Sequence, residues 1–323
     1  MFRDLASPTL REALAAFVAS MRVVTGHVTH ASTLVHPLER HRWQLEAAST
    51  YRTTVAEAAA ALDAAAPTSR ALTTIATNLR VYVGSEAFTT LASDIDQRLA
   101  DLAGVTYRLR IDENRVVVGR HDDEADYGAE ILATFARFRR SSTPAPVPVD
   151  VFRTADMNVV EIGILQRVAR LHPAVFAALD AFVQRHAAFL DPAVATFADE
   201  LPFYLDWLEL IDPMREAGLP FCFPEVSPEG AGLHASGLFD LALALRRVPA
   251  DGDIVTNDLD LADSERLLVI TGPNQGGKTA FARAIGQLHH LTAIGVPVPG
   301  SAARVGQSGS VHTLFARAED PTD

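Results

Sequence analysis

Apolar residues along the first two thirds of the chain recur at three- and four-residue spacing, the period of a helix with one buried face. Ser7-Pro8 offers an N-cap and a pre-set first helical residue, and Leu10, Leu14, Phe17 and Met21 follow as a core-facing stripe. The region from Pro37 to Ala66 continues in the same style with Trp43, Val55, Ala59 and Leu62 among many alanines. Pro67-Thr68-Ser69 interrupts it, and one further helical stretch is expected from Ala71 to Leu102. The period then changes. Val105 to Ile111 alternates apolar and polar residues, Asp112-Glu113-Asn114 supplies a turn, and Val116-Val117-Val118 leads to Gly119. That is the signal of a β-hairpin, about residues 105–119, inside a helical region.

Helical spacing resumes near Ala129–Arg140, followed by a Pro-rich connector over 141–150. Three stripes come next: Val160, Ile164, Val168 and Leu171 up to His172-Pro173; Val175, Leu179, Phe182 and Phe189 up to Asp191-Pro192; and Phe197, Leu201, Leu205 and Leu208 up to Asp212-Pro213. Pro202 is expected to kink or restart the third helix. His172 and His186 fall at helix ends rather than at ligand spacing.

Near Gly218-Leu219-Pro220 glycine and proline become frequent and the elements shorten, which divides the chain into a helical region, 1–217, and a second region, 218–323. In the second, Gly237–Leu245 reads as a short helix, and Ile254–Leu261 carries Asn257-Asp258 in a loop or edge strand. Arg266–Thr271 reads as a buried strand. Gly277 to Leu291 reads as a helix with Phe281, Ile285 and Leu288 inward, and short strands are expected at Ala302–Val305 and Val311–Ala316.

Between that strand and that helix stands the candidate chemistry. Gly272, Pro273, Asn274, Gln275, Gly276, Gly277, Lys278 and Thr279 fit G-x-x-x-x-G-K-[ST]. Glycines let a backbone wrap an anion with its N–H groups, and the helix adds its free N-terminal donors. Lys278 would reach the β- and γ-phosphates of a nucleotide and the Thr279 hydroxyl would ligate Mg²⁺. Lysine usage reinforces this, because Lys278 is the one lysine among 28 basic residues. A compact ammonium suits a tight phosphate loop where the planar arginine fork does not.

Charge and cysteine narrow the classes. The formal charge of −12 argues against a surface that is basic throughout, so nucleic-acid contact has to be local. Arg108 with Arg110, and Arg137, Arg139 and Arg140, are read as solvated faces. His121 beside Asp122, Asp123, Glu124 and Asp126 is read as a polar loop, since no second histidine stands at ligand spacing. Cys222 is the single cysteine, which excludes an intramolecular disulfide and a cysteine metal cluster. No signal-peptide pattern or membrane-length apolar run is present, so no membrane partner is expected and the expected address is cytoplasmic.

The loop's Gly-Pro-Asn opening is shared with ABC-type ATPases, but Gly276-Gly277 before Lys278 resembles the MutS family of DNA mismatch-repair ATPases. Thr256-Asn257-Asp258-Leu259, Gly295-Val296-Pro297-Val298-Pro299 and Val311–Arg317 resemble neighbouring segments of that family. Gln275, Phe221-Cys222-Phe223-Pro224 and Gly237-Leu238-Phe239-Asp240 look more like a MutS-related bacterial branch. The resemblance implies a mostly α core and lever region over 1–217 with a small β-hairpin, then an incomplete α/β P-loop (ABC-like) ATPase domain over 218–323. It implies ATP and Mg²⁺ as cofactors, DNA as partner, and a homodimer in the full-length form.

Three departures accompany it. Ala280 stands where the family has a second hydroxyl. The only Phe-x-Glu, Phe223-Pro224-Glu225, sits at the edge of the second region, so base-level mismatch reading is not expected. After Lys278 the acids are Glu319, Asp320 and Asp323 in a polar tail, so no Walker-B catalytic residue is expected within the chain, which reads as stopping partway through the ATPase domain. The alternatives are a non-catalytic helical interaction protein with a vestigial nucleotide site, and another ABC-type P-loop ATPase.

Overall fold

A computed structural model describes residues 1–112, 115–121, 157–227, 232–250, 252–262, 264–265, 267–273, 276–306 and 310–314. The expected helix near 129–140, the connector 141–150, Arg137, Arg139, Arg140, the acidic run from Asp122 to Asp126, and the tail acids lie outside them. The chain is mostly helical with small sheets, and it divides into two compact units, Glu12–Asp199 and Met1–Arg11 with Glu200–Asp323.

Helices account for most of the first unit: α1 (Pro8–Thr33), α2 (Pro37–Ala65), α3 (Arg70–Val83), α4 (Glu86–Ala103), α5 (Val159–Leu171), α6 (Pro173–Arg185) and the start of α7 (Pro192–Glu216). The central helix is α2, which packs against α3, α4, α5 and α6. Its buried set Ala47, Ala48, Tyr51, Val55, Ala58, Ala59 and Leu62 follows the 3.6-residue period, and the alanines let neighbouring backbones approach. The buried Tyr51 hydroxyl meets the Tyr82 hydroxyl at 3.0 Å and accepts from the Asp191 backbone N–H at 3.1 Å. Burial pushes its pKa far above the ordinary phenol value, so it stays neutral.

The stretch 71–102 is two helices rather than one. Gly84 ends α3, and the Ser85 hydroxyl accepts the Phe88 N–H to start α4. Of the expected stripe on α5 only Val168 is buried, while Val159 and Val160 are exposed. α7 runs as one 25-residue helix with Pro202 and Pro213 inside it, so the expected restart does not occur. His172 and His186 do stand at helix ends.

The hairpin is present as β1 (Arg108–Asp112) and β2 (Arg115–Gly119), antiparallel with Arg110 opposite Val117. Period-2 alternation puts Arg108 and Arg110 on one face and Leu109 and Ile111 on the other.

In the second unit the N-terminal turn joins the later chain. Phe2 stacks against Tyr204 and Phe223, with ring centroids 5.0 and 6.3 Å away, and Arg11 pairs with Asp212. β3 (Phe221–Cys222) pairs antiparallel with β7 (Val298–Pro299). A four-stranded sheet has the order β4 (Glu225–Ser227), β8 (Ala302–Gly306), β5 (Leu233–Leu238), β6 (Asn257–Leu261). β8 runs parallel to β4 and antiparallel to β5, and β6 closes one edge antiparallel to β5. Two helices complete the unit, α8 (Leu241–Arg247) and α9 (Lys278–Ile294).

Asn257-Asp258 therefore sits on an edge strand, and Ala302–Gly306 is a strand, as the pattern predicts. The stretch 237–245 is corrected: Gly237 and Leu238 end β5, Asp240 caps the next element, and the helix begins at Leu241. Residues 311–314 form no strand, and Phe315 and Ala316 lie outside the described residues.

Candidate phosphate-binding loop

The loop's two flanks differ. On the downstream side, α9 starts at Lys278, runs for 17 residues and ends at Gly295. Ala284, Leu288 and Leu291 are its buried residues, a face turned slightly from the expected one, with Phe281 and Ile285 half-buried. The helix packs against α8, β7 and β8. Burial holds the His289 imidazole pKa below its ordinary value, and its Nδ1 has no hydrogen-bond partner among the described residues.

The upstream flank does not form the buried strand that its apolar run predicts. Leu267 is 80% exposed and Val269 71%, and residues 267–271 belong to no ladder among the described residues. A continuous apolar run acquires its burial from strands on both sides and helices on both faces. Without those neighbours it remains a stretch of exposed chain.

Between the flanks, Gly272, Pro273, Gly276, Gly277, Lys278 and Thr279 come together as one turn; Asn274 and Gln275 lie outside the described residues. Gly276 donates its N–H to Pro273 O at 3.1 Å, and a Cβ on Gly276 would stand 3.0 Å from that oxygen. Gly277 caps the helix at φ 82°, a conformation that disfavours any side chain. Lys278 folds back across the turn, and its Nζ donates to Gly272 O at 2.6 Å and Pro273 O at 2.7 Å. Thr279 is exposed on the first turn of α9.

These residues fit a polyphosphate in kind. They offer a cradle closed to side chains, a helix N-terminus whose first N–H groups lack intrahelical partners, and an ammonium at the mouth. For a divalent metal the turn offers the Thr279 hydroxyl, and no group of three or more His, Cys, Asp or Glu capable of holding a metal occurs among the described residues.

A neighbouring network escaped the sequence reading. The buried Asp240 accepts from Ala242 and Leu243 N–H groups and from Gln287 Nε2, and it pairs with Arg283 Nη2 at 2.6 Å. The signal was available: an aspartate directly before Leu241-Ala242-Leu243 is an N-cap pattern. Arg283 also lines a groove of about 430 Å³ between α8 and α9, together with Leu241, Leu245, Gly286, Leu291 and Val311.

No helix among the described residues is long and apolar enough to cross a membrane. No protein-family model matches the chain. The chain is similar to the DNA mismatch repair protein MutS of Synechococcus sp. (strain CC9311), with 26% identity over 174 residues, which is 52% of this chain and 18% of that protein. It is 34% identical over 71 residues to the DNA mismatch repair protein MutS of Prochlorococcus marinus (strain AS9601), covering 22% of this chain and 8% of that protein. The alignments thus span less than a fifth of the length of these curated relatives. The two similarities support a MutS-related family and single out no member of it.

Proposed function

We propose that this chain is a MutS-related, ATP-binding protein of cytoplasmic DNA repair, with residues 218–323 forming part of its nucleotide-binding domain. The observation that carries the reading is the glycine turn closing onto α9 at the chain's one lysine. In the bound state the Lys278 ammonium exchanges the carbonyls of Gly272 and Pro273 for β- and γ-phosphate oxygens. Gly276 and Gly277 let the backbone approach, and the N–H groups at the start of α9 face the anion. The Thr279 hydroxyl would give Mg²⁺ one oxygen ligand. The metal's role when bound is to neutralise phosphate charge. ATP then biases a dimer between open and closed states on DNA, by its differential affinity for the two.

The expected behaviour of the 323-residue chain is weak nucleotide binding with little or no turnover. Calorimetric titration with ATP and Mg²⁺ tests the first half: Lys278→Ala should weaken binding roughly ten- to a hundredfold, the worth of a charge-assisted hydrogen bond or two. Equal heats from the native chain and Lys278→Ala would sink the reading. Steady-state phosphate release that disappears in Lys278→Ala would overturn the expectation of poor turnover.

A second reading, a helical interaction protein with a vestigial nucleotide site, is favoured by the way Lys278 is already satisfied by loop carbonyls. Absence of any Thr279-dependent binding in the same titration selects it.

A further inference from the structure

We infer that Asp240 is a positioning residue for the loop: held between α8 and α9, it fixes the bearing of α9 and hence the aim of the N–H donors at that helix's start. The inference rests on the phosphate-binding reading of Gly272–Thr279. Asp240 itself touches no ligand. Its side chain is 1% exposed, and it is contacted from two helices. Oδ1 accepts from Ala242 N at 3.0 Å and Leu243 N at 3.3 Å, which caps α8, and from Gln287 Nε2 at 2.9 Å. Oδ2 meets Arg283 Nη2 at 2.6 Å. Gln287 completes the stitch by accepting the Leu241 N–H at 2.8 Å.

Arg283 and Gln287 are four residues apart and share one face of α9, so both restrain the same side of the helix. The seven-residue α8 is too short to hold its own shape and takes its order from this docking. Among the described residues the upstream flank contributes no ladder at 267–271, so α9 is the ordered element that sets where the loop's donors point. The lever arm is short. Arg283 lies about 7.5 Å along the axis from Lys278, so a tilt of about 10° at the anchor moves the first turn by about 1 Å. A binding constellation tolerates errors of about 0.5 Å and 10–20°. A loosened anchor is therefore large enough to matter for anion affinity and small enough to leave the fold standing.

The test is a titration of the 323-residue chain with a fluorescent ATP analogue and Mg²⁺, alongside urea unfolding of each variant. Asp240→Asn keeps an oxygen for the α8 cap and gives up the ion pair. Arg283→Gln removes the other partner and, at a half-exposed position, serves if Asp240→Asn does not fold. The expected result is about tenfold weaker binding in each single variant at an unchanged folded fraction, with the double variant no weaker than either single, because both act through one contact. Native binding with undiminished affinity in both variants would overturn the positioning role and leave the loop's assignment standing. Additive losses would do the same, since they mean independent effects. No binding by the native chain overturns both.

Discussion

Ten residues upstream of Lys278 the chain is apolar and exposed; ten residues downstream it is apolar and sealed. Leu267 and Leu268 should be as eager for burial as Leu288 and Leu291, yet only the second pair achieves it. The difference lies in who supplies the backbone's hydrogen bonds. A helix satisfies its own N–H and C=O groups and needs a neighbour only for one face. A central parallel strand needs partners on both edges before its side chains are worth burying. Thus α9 is complete with α8, β7 and β8 beside it, while 267–271 has no ladder among the described residues.

The widest separation between the flanks is expected in amide hydrogen exchange. Amides of Ala284–Leu291 should exchange about a thousandfold more slowly than those of Leu267–Val269. Comparable protection on both sides would show that the upstream run is paired in solution. Next comes truncation within the sealed flank. Leu288→Ala at a 0% exposed site should lower unfolding stability by about 3 kcal/mol in urea.

A smaller effect concerns His289. Its folded pKa is lowered by burial from the ordinary 6.5, so the neutral ring is the one the fold accommodates. Its contribution is complete above about pH 6.5 and is lost as pH falls below that value, where the unfolded chain takes up the proton first. The ring is half-exposed and screened, so the effect should stay under about 1 kcal/mol. His289→Leu should flatten the stability profile between about pH 6.5 and 5, and an unchanged slope would refute the assignment. Smallest of all, Leu267→Ser at an 80% exposed site should shift stability by no more than about 0.5 kcal/mol. A loss near that of Leu288→Ala would erase the contrast.

The same physics decides how much of the molecule could be read in advance. Helices announced themselves through local signals: Pro8, Pro37 and the Pro67–Ser69 break all fall where the structure starts or ends an element. The hairpin was legible because its alternation and its turn are adjacent in sequence. Elsewhere punctuation and periodicity point to different boundaries. Gly84-Ser85 was an available C-terminus and N-cap inside a run whose period hardly changes. In β5 a bulge between Ala235 and Leu238 breaks the alternation, so by pattern Gly237-Leu238 joins the helix that follows. Pro202 does not restart the helix, because α7 continues through it. For the loop, residue type and spacing brought the candidate ligands together, but the inward fold of Lys278 is a side-chain choice that spacing leaves open, and the ties of Asp240 to Arg283 and Gln287 are contacts across the tertiary structure.

The solitary lysine also makes the loop chemically addressable. Besides the terminal α-amino group, Lys278 Nζ is the one primary amine for an acylating reagent to find, so a single peptide mass reports the state of the turn. Two carbonyls hold that ammonium, and a reagent has to reach the nitrogen where it is folded against them. The rate of modification is thus a clock for how often the turn opens, readable with no ligand added.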